Sequence, residues 1–130
     1  MRRRGSQAIE LALAVPMLVV LSASTVDLGQ FLYLSERVAS VASAGARSGA
    51  LADPDTGESA VVIATAVAVD TWASTELPRD LSVDATLEGV APNQRVVVRA
   101  TVDATPVFGF VPLHPTTATA VRTVRLSDQD

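Results

Sequence analysis

The sequence has no cysteine and no lysine, and its single histidine is His114. The lack of cysteine excludes disulfides, thiolate metal sites and thiol nucleophiles, and the lack of lysine excludes Schiff-base chemistry. No cluster of potential ligands accompanies His114, so a structural role explains it better than catalysis or metal binding. Glycine-rich phosphate-binding motifs are also absent. We therefore predict a protein that is not an enzyme and that has no cofactor or metal.

Basic charge is concentrated at the N-terminus. Arg2, Arg3 and Arg4 are three of the ten basic residues, and the rest of the chain has seven Arg against fourteen acidic residues. An acidic body with a short basic tip does not suit the phosphate backbone of nucleic acid. We expect no nucleic-acid partner.

Residues 9–26 form one long apolar run. As a helix this run spans about 27 Å at roughly 1.5 Å per residue, close to the hydrocarbon thickness of a bilayer. Its one acid, Glu10, needs an explanation, because an acid at membrane depth costs about 2.5–3.5 kcal/mol on insertion scales. Three interpretations are open: a cleaved secretory signal, a plain signal anchor, or a short leader cut just before the helix. In all three, the N-terminus stays cytoplasmic and the C-terminal part is exported.

Three short motifs favour the third interpretation. They are Gly5-Ser-Gln-Ala-Ile-Glu10-Leu-Ala-Leu-Ala-Val-Pro16, Asp27-Leu-Gly29 and Ala44-Gly-Ala-Arg47. Their pattern resembles the type IV pilin superfamily and, within it, the TadE-like family, the minor pseudopilins of tight-adherence (Tad, Flp-type) pili. The resemblance covers about residues 5–50. One departure is Leu11, which stands where those proteins usually have an aromatic residue.

The resemblance implies that a prepilin peptidase cuts between Gly5 and Ser6 and removes residues 1–5. We hypothesise that Glu10 then pairs with the new amine of Ser6, most usefully on a neighbouring subunit, because pairing offsets the cost of an isolated charge. The alternative is that Glu10 reaches the membrane interface by itself. Pro16 is expected to kink the helix, because it lacks a backbone donor.

The resemblance also assigns family-motif positions and partners. The motif positions are Asp27, Gly29, Gly45 and Arg47, and for Arg47 a role as a solvated helix residue is equally open. The implied partners are the cytoplasmic membrane, the prepilin peptidase, other pilin and pseudopilin subunits and the pilus assembly platform.

The helix is expected to continue beyond the apolar run, over residues 27–52. Apolar positions at spacings of three and four predict one buried face, made of Leu28, Phe31, Leu34, Val38, Val41 and Gly45. The charged residues are predicted to lie mostly off that face, namely Asp27, Glu36, Arg37 and Arg47. Gly45 and Gly49 form a small-residue pair, which we expect to allow close packing of a sheet or a second helix.

Residues 53–130 are predicted to form a small extracytoplasmic domain. The loop 53–58 carries Asp53, Asp55 and Glu58, and a solvated turn explains them better than a weak Ca²⁺ site. Residues 59–74 mix β-branched residues with alanine, and their length favours a short helix over a strand. Its Trp72 is predicted to be a core anchor.

The pattern then changes to period two, which predicts strands. Residues 81–88 alternate apolar and polar side chains, 89–93 read as a hairpin loop, and the stretch around 95–102 alternates again. Residues 117–126 supply a third strand. The predicted fold class is α+β and pilin-like: a long N-terminal transmembrane and amphipathic helix, a short second helix and a small antiparallel β-sheet.

The connection over residues 106–115 is unusually apolar and contains Phe108 and Phe110. Such a loop either packs into the core, which we favour, or presents a contact surface to a partner or membrane. Substitution of both phenylalanines distinguishes these two interpretations.

Together these features predict a membrane-anchored minor pseudopilin with a leader (1–5), a transmembrane helix (6–26), an extracytoplasmic helix (27–52) and a small domain (53–130). It is predicted to be single-pass in the cell membrane, with a cytoplasmic N-terminus. The alternative function is a signal-anchored extracytoplasmic binding domain that is not part of a pilus.

Overall fold

The computed structural model describes residues 3–52, 59–75, 77, 79–89, 94–112 and 116–123. In chain order they form two helices and three strands. The elements are α1 (Arg3–Ala50), α2 (Ala60–Ala73), β1 (Leu81–Glu88), β2 (Arg95–Val102) and β3 (Thr116–Thr123). The predicted α+β class, with a long first helix, a short second helix and an antiparallel sheet, is confirmed.

The sheet is an antiparallel meander in the order β1-β2-β3. Leu81 pairs with Val102 at one end of the first hairpin, and Glu88 pairs with Arg95 at the other. Gly89 follows β1 with a φ of 96°, a left-handed conformation that glycine adopts without steric cost. The alternation predicted for β2 is confirmed, since its inward side chains are fully buried, namely Val96, Val98, Ala100 and Val102.

Both helices pack on the sheet and on each other. The C-terminal half of α1 contacts α2, β2 and β3, while α2 also contacts β1. The core joins Leu34, Val38 and Val41 of α1 to the inward side chains of β2. This packing gives the three-stranded sheet the cover it needs to be stable. We call this packed part, formed by the described residues between 27 and 123, the head.

Helix α2 settles the ambiguity of residues 59–74. Ala64, Ala68 and Trp72 recur every four residues and form its buried face. The Trp72 indole N–H donates a hydrogen bond of 3.0 Å to the carbonyl of Arg79, so this core anchor also satisfies its polar group. Tertiary burial of one face therefore outweighs the strand propensity of the β-branched residues.

Two glycines of α1 allow α2 to approach closely, as predicted. A Cβ at position 45 would lie 2.6 Å from the carbonyl oxygen of Ala64, and one at position 49 would lie 2.7 Å from that of Ala60. The Cβ of Ala64 would also be only 2.8 Å from a Cβ at position 49. All three distances are too short for any side chain, so Gly45 and Gly49 are required by this contact.

The predicted buried face of α1 was wrong at its start. Leu28 is 49% exposed and Asp27, expected off that face, is completely buried. The buried positions instead form a series that includes Asp27 and leaves out Leu28, running through Ala23, Asp27, Leu34, Val38, Val41, Gly45 and Gly49. Adjacent helical residues differ by about 100° in direction, so a shift of one position moves a side chain off the buried face.

Some predictions fall outside the described residues. They concern the acidic loop with Asp53, Asp55 and Glu58, the tip of the first hairpin at 90–93, His114, and the end of the third strand at 124–126.

Candidate functional site

The N-terminal half of α1 is an apolar helix with almost no protein around it. Among residues 7–26 only Ala23 is buried, at 7% exposure, while leucine, isoleucine, methionine and valine side chains project outward. The helix is long and apolar enough to cross a membrane, and 6% of its most apolar window is buried. A core helix of a soluble protein would be largely buried, so this half is suited to an apolar solvent.

We call the exposed N-terminal part of α1, up to residue 26, the bare half. The predicted processing residues lie at its start. Gly5 and Ser6 are already helical, because α1 begins at Arg3. Glu10 follows Ser6 by four residues, which puts the two positions on the same face one turn apart. Its side chain is exposed. The helix continues through Pro16 without a break, and the kink at this position stays a prediction.

Asp27 stands where the bare half of α1 meets the head. Its Oδ1 accepts hydrogen bonds from the backbone N–H groups of Val107, at 2.8 Å, and Phe108, at 3.0 Å. Its other oxygen, Oδ2, is buried without a hydrogen-bond partner. Hydrogen bonds to a charged group are worth about 1.5–3 kcal/mol each, so this carboxylate fixes a loop eighty residues further along the chain.

That loop belongs to the apolar connection over residues 106–115, for which we considered packing into the core and exposure as a contact surface. The interpretation that it packs into the core was wrong for its two phenylalanines, because Phe108 is 54% exposed and Phe110 is 53% exposed. The turn between them is made by Gly109, with a φ of 74°. A backbone in this left-handed conformation turns the chain back sharply, so the two rings are displayed rather than buried. We call residues 107–111 the Phe loop.

An apolar groove runs between the Phe loop and the bare half of α1. Its volume is about 400 Å³, and it is lined by Val15, Leu18, Val19, Ser22, Ala23, Val26 and Phe108. The only polar side chain in this lining is that of Ser22. Phe108 therefore extends from the head over the segment predicted to lie in the membrane.

A second apolar surface lies on the outer side of α2. Val62, Ala66, Val69 and Ala73 are all exposed, and their spacing of four, three and four residues forms a continuous stripe. A continuous apolar stripe on a helix normally faces a packing partner. The stripe on α2 is therefore a candidate contact surface of the head.

Two of the family-motif positions have no packing role in the described structure. Gly29 would have nothing within 4 Å of an added Cβ, so the fold does not require a glycine there. Arg47 is exposed in the last turn of α1, where a cation interacts favourably with the helix dipole.

A second pocket, of about 290 Å³, lies on the head and is lined by Gln30, Tyr33, Leu34, Leu77 and Arg79. The guanidinium of Arg79 donates to the carbonyls of Asp103, at 3.1 Å, and Thr105, at 3.4 Å. This arginine is therefore committed to holding the segment that leads to the Phe loop. Across the described ranges, no group of three or more His, Asp or Glu side chains is placed to hold a metal ion.

These features define a class: a small α+β protein with one candidate membrane-spanning helix, continuous with a packed head. A family model described as TadE-like protein matches residues 5–47, about a third of the chain. The predicted resemblance is confirmed over that segment, which lies within α1 and includes Glu10, Pro16, Asp27, Gly45 and Arg47. The match ends within α1, and residues 48–130 lie outside it. No curated protein and no solved structure matches it.

Sequence reasoning named Asp27 as a motif position but missed what it binds. One signal was available: Asp27 lies four residues after Ala23, at the first position after the apolar run. An acid at that position lies on the same helical face as Ala23, and this is a reason to look for backbone N–H groups that it could bind. The donors themselves are too distant in sequence to be identified from spacing.

Proposed function

We propose that this protein is a minor pseudopilin of a Tad/Flp-type pilus: a subunit anchored by the N-terminal half of α1 and assembled through that helix and the head. The observation that carries the proposal is the bare helix itself. Residues 7–26 expose nearly all their apolar side chains, and they belong to the segment that matches the TadE-like model. A subunit in this role has no catalytic activity of its own.

The proposal divides α1 by its surroundings. Residues 1–5 are the leader, 6–26 span the cytoplasmic membrane, and 27–52, helical up to Ala50, lead into the extracytoplasmic space. The basic residues at the N-terminus favour a cytoplasmic location for that end. The small domain over 53–130 is then outside, where it is available to other subunits and to the assembly platform.

Processing is the second part of the proposal. A prepilin peptidase cuts between Gly5 and Ser6, and the amine of Ser6 becomes the partner of Glu10 in a neighbouring subunit. The spacing of four residues puts Ser6 and Glu10 on the same face of α1, so that this face would present both the new amine and the carboxylate to a neighbouring subunit. A pair of this kind offsets the cost of placing an acid near the membrane core.

The third part of the proposal is that the head contacts a neighbouring subunit. The stripe on α2 offers a neighbouring subunit an apolar surface without charged side chains, at residues 62, 66, 69 and 73. The Arg79 pocket supports ligand binding less well, because its cation already holds two backbone carbonyls.

Co-expression of the full chain with a prepilin peptidase tests processing. Intact-mass and N-terminal sequencing of the membrane fraction are expected to show a chain that begins at Ser6. Gly5→Leu should block the cut, whereas Gly29→Ala, a glycine change in open space on the same helix, should leave it unaffected. An uncut wild-type chain in the presence of active peptidase contradicts processing and favours the signal-anchored binding domain.

Glu10→Gln tests assembly separately. This change keeps the size of the side chain and removes its charge, so we expect normal cleavage and membrane insertion but a several-fold loss of incorporation into sheared pilus fractions. Asp70→Asn, an exposed acid on α2, is the control for loss of one negative charge. Equal incorporation of the Glu10→Gln chain and the wild type would show that the carboxylate is not needed.

A further inference from the structure

The burial of Ala23 is unexpected for a residue of the membrane segment. It is the one buried side chain between residues 7 and 26, and Phe108 lines the same groove. Ala23 lies one helical turn, about 6 Å, on the N-terminal side of Asp27. The head, which begins at residue 27, therefore also covers Ala23, a residue of the segment proposed to lie in the membrane.

Asp27 fixes the position of the Phe loop along the axis of α1. Because its Oδ1 accepts the N–H groups of Val107 and Phe108, the backbone of the Phe loop is held beside residue 27, at the outer end of the span. The groove lined by Phe108 extends from there to Val15, roughly 18 Å along the helix axis from Asp27. The loop backbone thus lies at the interface, and the groove descends along the membrane segment.

The chemistry of the loop matches this position. Residues 104–112 contain no charged side chain, and Val107, Phe108 and Phe110 are all at least half exposed. Backbone N–H groups near hydrocarbon need a partner, and Asp27 provides one for two of them. Hydroxyls of the adjoining helix are satisfied as well, since Ser24 and Thr25 donate to the carbonyls of Val20 and Leu21. This combination suits the boundary between water and acyl chains.

We propose that the Phe loop is a second membrane contact, which inserts its phenylalanine side chains into the outer leaflet while a phospholipid acyl chain occupies the groove. The proposal rests on the membrane span of the proposed function and adds to it a lipid-binding surface on the head. The groove is continuous with the bare surface of the span, so its occupant comes from the hydrocarbon layer.

An acyl chain fits this groove better than the helix of a second copy. Helices in membranes associate through small residues that allow the backbones to approach closely. Most of the groove is lined by the branched side chains of valine and leucine, and the ring of Phe108 stands over it. A flexible chain can pass between these side chains, whereas a helix would have to displace Phe108.

The lack of cysteine allows a direct test in the full chain, because single-cysteine variants can be labelled without background. Phe110→Cys, Leu21→Cys and Val62→Cys would each carry an environment-sensitive fluorophore in vesicles of phosphatidylcholine and phosphatidylglycerol. A fraction of the lipid bears a nitroxide high on its acyl chain. Position 21 reports the membrane span, and position 62 is an exposed apolar site on α2.

We expect several-fold quenching at positions 110 and 21 and almost none at position 62. Quenching at 21 without quenching at 110 overturns the inference and leaves the proposed anchor intact. Absence of quenching at 21 overturns both. A second copy in the groove gives a different result. Position 110 is then shielded from aqueous iodide but not quenched by the lipid nitroxide, and the shielding disappears when lipid is added in excess. That result shows the inference to be wrong.

Lipid quenching at position 110 also tests whether Asp27 positions the Phe loop. Asp27→Leu removes the acceptor, and we expect lipid quenching at position 110 to fall several-fold, while quenching at 21 stays as in the parent. Asp27→Asn keeps an oxygen that accepts both N–H groups and should preserve most of the quenching. Equal quenching at 110 in the Asp27→Leu and Asp27→Asn backgrounds would show that this carboxylate does not position the loop.

Discussion

The two halves of α1 share one unbroken helix but have opposite surroundings. From 7 to 26 most side chains are apolar and many are large, and only Ala23 is buried. From 27 to 50 the buried positions include glycines, small alanines and one aspartate. The half with the larger apolar side chains is therefore the half that the protein does not cover. Hydrophobicity alone does not identify the core here, because the two halves are adapted to different solvents.

Gly45→Val gives the largest expected effect and tests the packed half. The valine would meet the carbonyl of Ala64, so we expect α2 to be displaced and the head to lose about 3 kcal/mol of stability. Thermal unfolding of the full chain in detergent, followed by Trp72 fluorescence, measures the loss. Gly29→Ala is the control, because it lies in open space on the same helix. Equal melting temperatures for the two variants would contradict the close approach of α2.

Asp27 tests the boundary between the halves. Asp27→Leu removes the acceptor of two backbone N–H groups, and we expect a loss of about 2 kcal/mol. Asp27→Asn keeps one accepting oxygen, so its loss should be less than half as large. The same unfolding measurement applies, with hydrogen exchange at Val107 and Phe108 as a local readout. If both variants unfold like the parent, the carboxylate does not hold the Phe loop.

A matched pair of truncations compares the two halves directly. Val38→Ala removes two methyl groups from a fully buried side chain, and we expect a loss of about 1–2 kcal/mol. Val20→Ala makes the same chemical change on an exposed side chain of the bare half, so the unfolding of the head should change by less than about 0.5 kcal/mol. A similar loss from both changes would mean that the bare half also belongs to the core.

Regular elements of the head were predictable because they depend on local patterns. The alternation of Val96, Val98 and Val102 identified β2 and its inward face, and the pair Gly45 and Gly49 indicated a close neighbour. Both signals arise from periods that are fixed by backbone geometry. The same is true of the resemblance, which depends on short motifs within α1.

Features that depend on long-range contacts were not predictable. Asp27 was predicted to lie off the buried face, because its donors, Val107 and Phe108, come from a loop near the other end of the chain. The Phe loop looked like core material because its composition is apolar, but exposure is decided by how much protein is left to cover it. In a small head, the sheet and both helices already fill the core, so these rings remain at the surface.

The contact between α1 and β3 has a consequence for the timing of folding. Helix α1 packs against β3, which is the last of the described strands and pairs with β2 alone among them. Contacts of such large sequence separation form late, because the chain between them must first be ordered. The head thus cannot close until β3 has been synthesised and has joined the sheet. A chain exported from its N-terminal anchor onward would cross the membrane unfolded, and it would complete its fold only on the far side.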